Sequence, residues 1–500
     1  MSVNIQGDSE QLIALGIEPK FDRSMSMLQN FALGFTYLSP VVGAYTLFDS
    51  SLATGGPPMI WTYLIAGAGQ LLVALIFGEL VSQYPLAGGL YPWARRLIGR
   101  RWSWMVGWVY AWALFATIAA VATGAAPFLS ILLGTGDGAG LAVVIALGLI
   151  FFATVCNLAG TKFLARVAMF GFICELVGAL LVGGYLLLFH RVQSPAILLD
   201  PMTAGAGNYL PAFLAASLLG LFSCYGFEAC GDVAEEVKDP GTKIPKAMRM
   251  TIYVGIGASI FACLALLLAV PDIPAVIAGT SPHPLADVLV AAFGQWGTRA
   301  IAIVILISFM SCVLSLQAAV SRLIFAFARD RMIFGASLFS RLSPTTHVPV
   351  AALMLAGAVP GAIVLLGAVL ADALTTIVTF AVAGVYLAFQ MVVAAALIAR
   401  TRGWRPSGSF TLKGWGWTVN VMALLYGVAA LVNMMWPRAP DSPWYLNFAM
   451  LLGVASVLVS GFVYLVAARP ERRSDAPYGV SDNYPPRGAE GRGLRQEAGA

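Results

Sequence analysis

Arg95-Arg96-Leu97-Ile98-Gly99-Arg100-Arg101 packs four arginines into seven residues, between two long stretches that are almost wholly apolar. Every second connection further along the chain repeats that sign. Lys162 and Arg166 come first, then Lys238, Lys243, Lys246 and Arg249, then Arg322, Arg329, Arg331 and Arg341. Arg400, Arg402, Arg405 and Lys413 follow, and Arg469, Arg472 and Arg473 open the C-terminal tail. The connections in between hold only Arg191, Arg299 and Arg438. Basic residues gathered on one side of a serially hydrophobic chain follow the positive-inside rule. The pattern predicts a multi-pass protein of the cytoplasmic (cell) membrane with both termini in the cytoplasm.

Composition agrees. Hydrophobic residues make up 59% of the chain and charged residues 11%, against about 25% charged in soluble domains. A spanning helix needs about 20 mostly apolar residues. Such stretches lie near 27–54, 58–82, 104–133, 140–158, 163–189, 209–235, 249–270, 299–327, 348–370, 373–399, 416–436 and 443–468. The fold class is therefore an all-α membrane protein of about 12 transmembrane helices. Residues 1–23 read as a cytoplasmic N-terminal segment, 24–468 as one transmembrane domain and 469–500, rich in Pro, Gly, Arg and Ser, as a disordered cytoplasmic tail. The acidic start (Asp8, Glu10, Glu18, Asp22) does not resemble a cleavable signal peptide. The net charge of +5 is explained by topology and calls for no nucleic-acid partner.

Two spans do not read as plain helices. The first contains Tyr37-Leu38-Ser39-Pro40-Val41-Val42-Gly43, where the proline removes a backbone donor and disfavours helix at Ser39. The sixth contains Ser223-Cys224-Tyr225-Gly226-Phe227-Glu228, with a glycine at mid-depth beside a carboxylate. These interruptions lie five spans apart, at corresponding positions in two successive five-helix blocks. Paired breaks of this kind point to the binding site of an inverted-repeat transporter. Unwinding exposes N–H groups at one half-helix end and C=O groups at the other, with about half a unit of charge at each. A zwitterion can set its carboxylate on the first and its ammonium on the second. The alternative is that Pro40 and Gly43 merely kink a packing helix. The substrate-binding candidates are Ser39, Pro40, Val41, Val42, Gly43, Cys224, Tyr225, Gly226, Phe227 and Glu228.

Carboxylates at membrane depth form the second set. Glu175 lies nine residues beyond Arg166, about 13 Å along the fifth span. An ionised carboxylate there costs about 2.5–3.5 kcal/mol on insertion scales unless it is paired, hydrated or protonated. Proton coupling is one role for it, and a neutral carboxyl bonded to a neighbouring helix is the other. Glu228 faces either the substrate, the proton path or the end of the second half-helix. Asp232, Glu235 and Glu236 are expected in salt bridges or solvent, and Glu79 beside a loop arginine. Ser308, Ser311 and Ser315 share one helix face and suit close packing better than a sodium ion. Trp102, Trp104, Trp108, Trp436, Trp444 and Tyr445 read as interface anchors.

An enzyme is disfavoured, because His190, His283 and His347 are scattered near span ends with no metal-ligand spacing. The six cysteines (Cys156, Cys174, Cys224, Cys230, Cys263, Cys312) all fall inside spans and read as small buried residues. No metal and no cofactor is implied.

Three motifs resemble the amino acid–polyamine–organocation superfamily. Phe77-Gly78-Glu79-Leu80-Val81-Ser82-Gln83-Tyr84-Pro85-Leu86-Ala87-Gly88-Gly89-Leu90-Tyr91-Pro92-Trp93-Ala94 resembles the loop after its second helix. Gly226-Phe227-Glu228-Ala229, Ala234-Glu235-Glu236-Val237-Lys238-Asp239-Pro240 and Ile244-Pro245 resemble its sixth helix and the loop beyond. Ser321-Arg322-Leu323 with Ala328-Arg329-Asp330 resembles its segment after the eighth helix. The resemblance spans about residues 24–468 and is closest to the amino acid/GABA/choline permease branch. It implies a LeuT-like five-plus-five inverted repeat plus two C-terminal helices, alternating access and a substrate at the broken first and sixth helices. It also implies an aromatic lid, Phe227 or Tyr225, and an inner gate at Gly88–Trp93. Two departures stand out. Ser39–Gly43 replaces the Gly-Ser/Thr-Gly type of break, and Cys174-Glu175 stands where some proton-dependent relatives carry a lysine.

The function expected is secondary active transport of an amino acid or related small amine. The expected partners are that small molecule, protons ahead of sodium as coupling ion (through Glu175 and Glu228), and the lipid bilayer. Choline, ethanolamine and polyamines fit the same residues, as does amino acid exchange. A nutrient sensor on a transporter scaffold and a channel are the readings from other classes.

Overall fold

The computed structural model describes residues 5–135, 138–205, 207–281, 283–368, 373–438, 440–441 and 443–479. Among these the chain is helical with no strand ladder, only an isolated bridge between Met25 and Val237. Among the described residues, eleven helical stretches are long and apolar enough to cross a bilayer. The twelfth, the sixth in order, is in pieces: Tyr209–Ala216, Leu218–Ser223, Ala229–Asp232 and a 3-10 turn at Ala234–Glu236.

Burial sorts the spans into centre and rim. The most apolar stretch of the first span is 94% buried, whereas those of the fifth and twelfth are 22% and 11% buried. The first span's opening half packs on the fifth (Thr161–Phe189), seventh (Pro240–Ala269) and eighth (Pro284–Arg329) spans. Its second half packs on the sixth. Large apolar side chains that face outward, such as Phe151, Leu181, Leu188, Leu366 and Phe462, suit a lipid surround, where there is no water to avoid.

Local sequence explains several boundaries. Ser26 and Gln29 form a reciprocal capping box that starts the first span. The seventh span begins earlier than the apolar run from residue 249, because Asp239 turns the chain with φ 51° and Pro240 occupies the first helical turn. Lys243, Lys246 and Arg249 therefore sit on its opening turns instead of in a loop. The eighth span likewise starts at Pro284 and bends at Gly294, whose φ is 63°.

Several basic side chains, Arg95, Arg96, Arg100, Arg101, Arg329 and Arg331 among them, come together on one face. There the short helix Leu90–Leu97 buries Arg95 and Arg96. The Arg96 guanidinium donates to the Leu15 carbonyl at 2.5 Å, tying down the segment after the helix Ile5–Ala14. Residues 470–479 pack on the same face: Arg100 donates twice to the Ala476 carbonyl (3.2 and 2.8 Å) and Arg101 pairs with Glu471 at 2.9 Å. The rest of the tail, 480–500, expected as disordered, lies outside the described residues, as do residues 1–4.

The tryptophans divide. Trp436 and Trp444 are exposed, as interface anchors would be. Trp104 is buried instead, stacks between Trp108 (5.1 Å) and Tyr464 (4.8 Å), and donates to the Met332 carbonyl at 3.0 Å. Trp108 donates to the Val457 carbonyl at 3.0 Å. That pair pins the third span to the twelfth and is not an interface belt.

Candidate functional site

The first span is broken where expected. One helix ends at Leu38 and the next begins at Pro40. Ser39 between them has φ 43° and ψ 90°, a conformation that costs a non-glycine residue about 1–3 kcal/mol. Pro40 suits the first helical position because it has no N–H to leave unpaired. Hydrogen bonds hold the strained serine. Its N–H donates to the Phe35 carbonyl at 2.7 Å, and its hydroxyl accepts the Val42 N–H at 3.3 Å.

Glu175 completes that end. The Ser39 hydroxyl donates to Glu175 Oε1 at 2.7 Å, and the Val41 N–H donates to the same oxygen at 2.9 Å. The Gly43 N–H donates to the Ser39 carbonyl at 3.0 Å. The N–H end that was expected to cradle a substrate carboxylate therefore holds the protein's own. Glu175 Oε2 is buried and has no hydrogen-bond partner.

The sixth span breaks over Cys224–Glu228, after Leu218–Ser223 and before the single turn Ala229–Asp232. Gly226 sits at φ 121°, and a Cβ there would lie 2.6 Å from both the Leu38 nitrogen and the Tyr37 ring. A side chain at Gly43 would collide with Ser223. The two breaks thus touch at both ends, each through a glycine. The Cys224 thiol turns aside to the Tyr63 carbonyl, 3.8 Å away.

Glu228 folds back to accept the Gly226 N–H at 2.8 Å. The Tyr110 hydroxyl lies 3.4 Å from Glu228 Oε1 and donates to Asp232 Oδ2 at 2.9 Å. Asp232, expected in a salt bridge or in solvent, is buried instead, and its Oδ1 has no partner. Its place four residues from Glu228 puts both carboxyls on one helical face, a spacing readable in the sequence. Nothing in the sequence pointed to Tyr110.

The two candidate lid aromatics separate. Phe227 packs among Phe77 (6.0 Å) and Phe389 (5.6 Å) of the second and tenth spans. Tyr225 lies edge-on to Tyr37 of the first span at 6.3 Å, with its hydroxyl 3.4 Å from that of Thr117. On the eighth span, Ser315 shares a 2.9 Å hydroxyl contact with Thr36, and Ser308 bonds back to the Val304 carbonyl at 3.1 Å. These are packing contacts.

The basic face is closed by ion pairs. Arg322 grips Glu236 through both oxygens (2.8 and 3.2 Å), and Arg329 holds Glu235 at 2.8 Å. Asp330 pairs with Arg95 and accepts the Tyr91 hydroxyl at 2.8 Å. Gly88, with φ 86°, donates its N–H to the Asp232 carbonyl at 2.9 Å, which joins the 88–93 segment to the sixth span. Glu79 pairs with Arg400 at the end of the tenth span.

A family profile described as "Amino acid permease" matches residues 25–457. The chain belongs to the amino acid permease family. The permease is 26% identical to amino-acid permease BAT1 of Arabidopsis thaliana over 92% of this chain and 94% of that protein. It is 24% identical to the GABA-specific permease of Saccharomyces cerevisiae, over 95% and 87% of the two chains. It is also 28% identical to the vacuolar cationic amino acid transporter 4 of A. thaliana, over 62% and 52%. The permease is accordingly a multi-span membrane transporter for amino acids or related small amines, and not an enzyme.

Proposed function

We propose that the permease is a secondary active transporter of the cytoplasmic membrane, with both termini in the cytoplasm, that works by alternating access. The solute sits where the first and sixth spans break, within the LeuT-like five-plus-five arrangement. The contact of the two breaks through Gly226 and Gly43 carries this reading, because irregular backbone at membrane depth is tolerated where it lines a cavity or is buried in protein. Tyr225, facing Tyr37, is the lid aromatic. The ion pairs of Arg322, Arg329 and Asp330 form the inner gate, shut in this state.

Protons drive the cycle. Glu228 and Asp232 share Tyr110 and have no basic partner among the described residues, so the pair is suited to carrying a proton between two hydration states. Glu175, with one bare oxygen, is the second coupling group. The solutes named for two relatives, GABA and cationic amino acids, each carry an ammonium group beside a carboxylate, and the ammonium suits an acidic site.

Uptake of labelled solute into proteoliposomes tests the site. Gly226→Leu is expected to abolish uptake while Gly148→Leu, where a Cβ meets nothing within 4 Å, leaves it unchanged. Undiminished uptake by Gly226→Leu removes the breaks from the site.

A further inference from the structure

At the start of the first span's second half-helix, the chain itself uses every donor. Pro40 has no N–H, Val41 donates to Glu175, Val42 to the Ser39 hydroxyl and Gly43 to the Ser39 carbonyl. The positive end of that half-helix already faces a carboxylate, the arrangement that favours it electrostatically. We infer that Glu175 takes the place of a substrate carboxylate, so that the permease selects organic cations by their ammonium group and prefers a decarboxylated amine to the α-amino acid bearing the same side chain. This rests on the broken-helix site proposed above and names the class of solute that the site takes.

The rest of the site has the same bias. Glu175 Oε2 and Asp232 Oδ1 are buried acceptors with no donor, and an ammonium brings three N–H donors. Among the described residues the buried ion pairs of the basic face take in Glu79, Glu235, Glu236 and Asp330, but none reaches Glu175, Glu228 or Asp232. A solute carboxylate placed on the first span would meet Glu175 instead of an N–H. It would be left without a donor in a buried setting, a loss that mutational series find larger than the gain from a hydrogen bond. An ammonium in the same place meets Glu175 Oε2, an acceptor in want of a donor.

Matched pairs test this in the purified full-length protein. Binding of putrescine against L-ornithine, ethanolamine against L-serine and agmatine against L-arginine is measured by competition with a labelled amine and by thermal shift. The wild type is expected to bind at least one amine about tenfold or more tightly than its parent amino acid. In Glu175→Ala, which frees the Ser39 hydroxyl and the Val41 N–H, the gap should close or reverse. Glu175→Gln, which keeps an acceptor oxygen there, should bind amines and still disfavour the parents. If each parent amino acid binds as tightly as its amine in the wild type, or if no amine binds, the inference is overturned without any variant. Gly226→Leu separates the two readings. Amine preference in the wild type that survives this substitution sinks the broken-helix site and keeps the preference, whereas parent amino acids that bind the wild type as tightly as their amines and are lost in Gly226→Leu sink the preference alone.

Discussion

The Ser39 hydroxyl and the Glu175 carboxylate, 136 residues apart in the chain, meet at 2.7 Å and together cap a half-helix inside the membrane. The bond supports a serine in a conformation that glycine would normally fill. It also fixes the fifth span against the first.

Ser39→Ala removes both the cap on Val42 and the donor to Glu175. Loss of a helix cap costs about 0.5–2 kcal/mol, so a lower melting temperature in detergent is expected, with Ser39→Thr nearer to wild type. An unchanged melting temperature for Ser39→Ala would mean that the bond does not hold the break.

Tyr225 and Phe227 should fail differently. Phe227→Ala empties an aromatic site between the second and tenth spans, a class of change that costs about 3–5 kcal/mol in protein cores, and should show as lost stability and yield. Tyr225→Ala should leave the fold closer to intact and raise the KM for uptake. Stability and KM measured on the same preparations tell them apart, and the opposite pairing would return the lid to Phe227.

Tyr110→Phe deletes a hydroxyl that Glu228 and Asp232 share. Substrate-driven proton uptake in proteoliposomes is expected to fall, while counterflow exchange of labelled solute, which needs no net proton movement, persists. Equal effects on both would place Tyr110 in solute binding, and no effect would take the pair out of coupling.

Arg322 and Glu236 form a buried bidentate pair. Removing one partner leaves an uncompensated charge, typically at a cost of about 3–5 kcal/mol. Arg322→Ala should therefore lower expression and melting temperature sharply, and Arg322→Met with Glu236→Leu should recover much of the loss. Failure of the double variant to improve on the single one would show that the pair acts through something besides its charge.

Much of this architecture was legible from local chemistry. Pro40 and Gly226 announced the breaks because a missing N–H and a positive φ are properties of single residues. Ser39, the residue that bears the strain, carried no such mark. The depth of Glu175 could be counted along its helix, but its partners on the first span could not, since no local pattern records which spans adjoin. Asp232 was grouped with Glu235 and Glu236 as part of one acidic run, although four-residue spacing set it beside Glu228. Composition alone makes Trp104 and Trp108 interface rings. Their burial depends on where the twelfth span lies, and only the fold supplies that.

The central claim is that a small cationic solute is held between the broken first and sixth spans. Cryo-electron microscopy of the permease saturated with the tightest-binding amine tests it most directly. The account predicts solute density between residues 37–43 and 224–228, with the ammonium near Glu175 or Asp232. Solute density elsewhere, with Gly226 still packed on Leu38 and Glu175 still bonded to Ser39 and Val41, would contradict it.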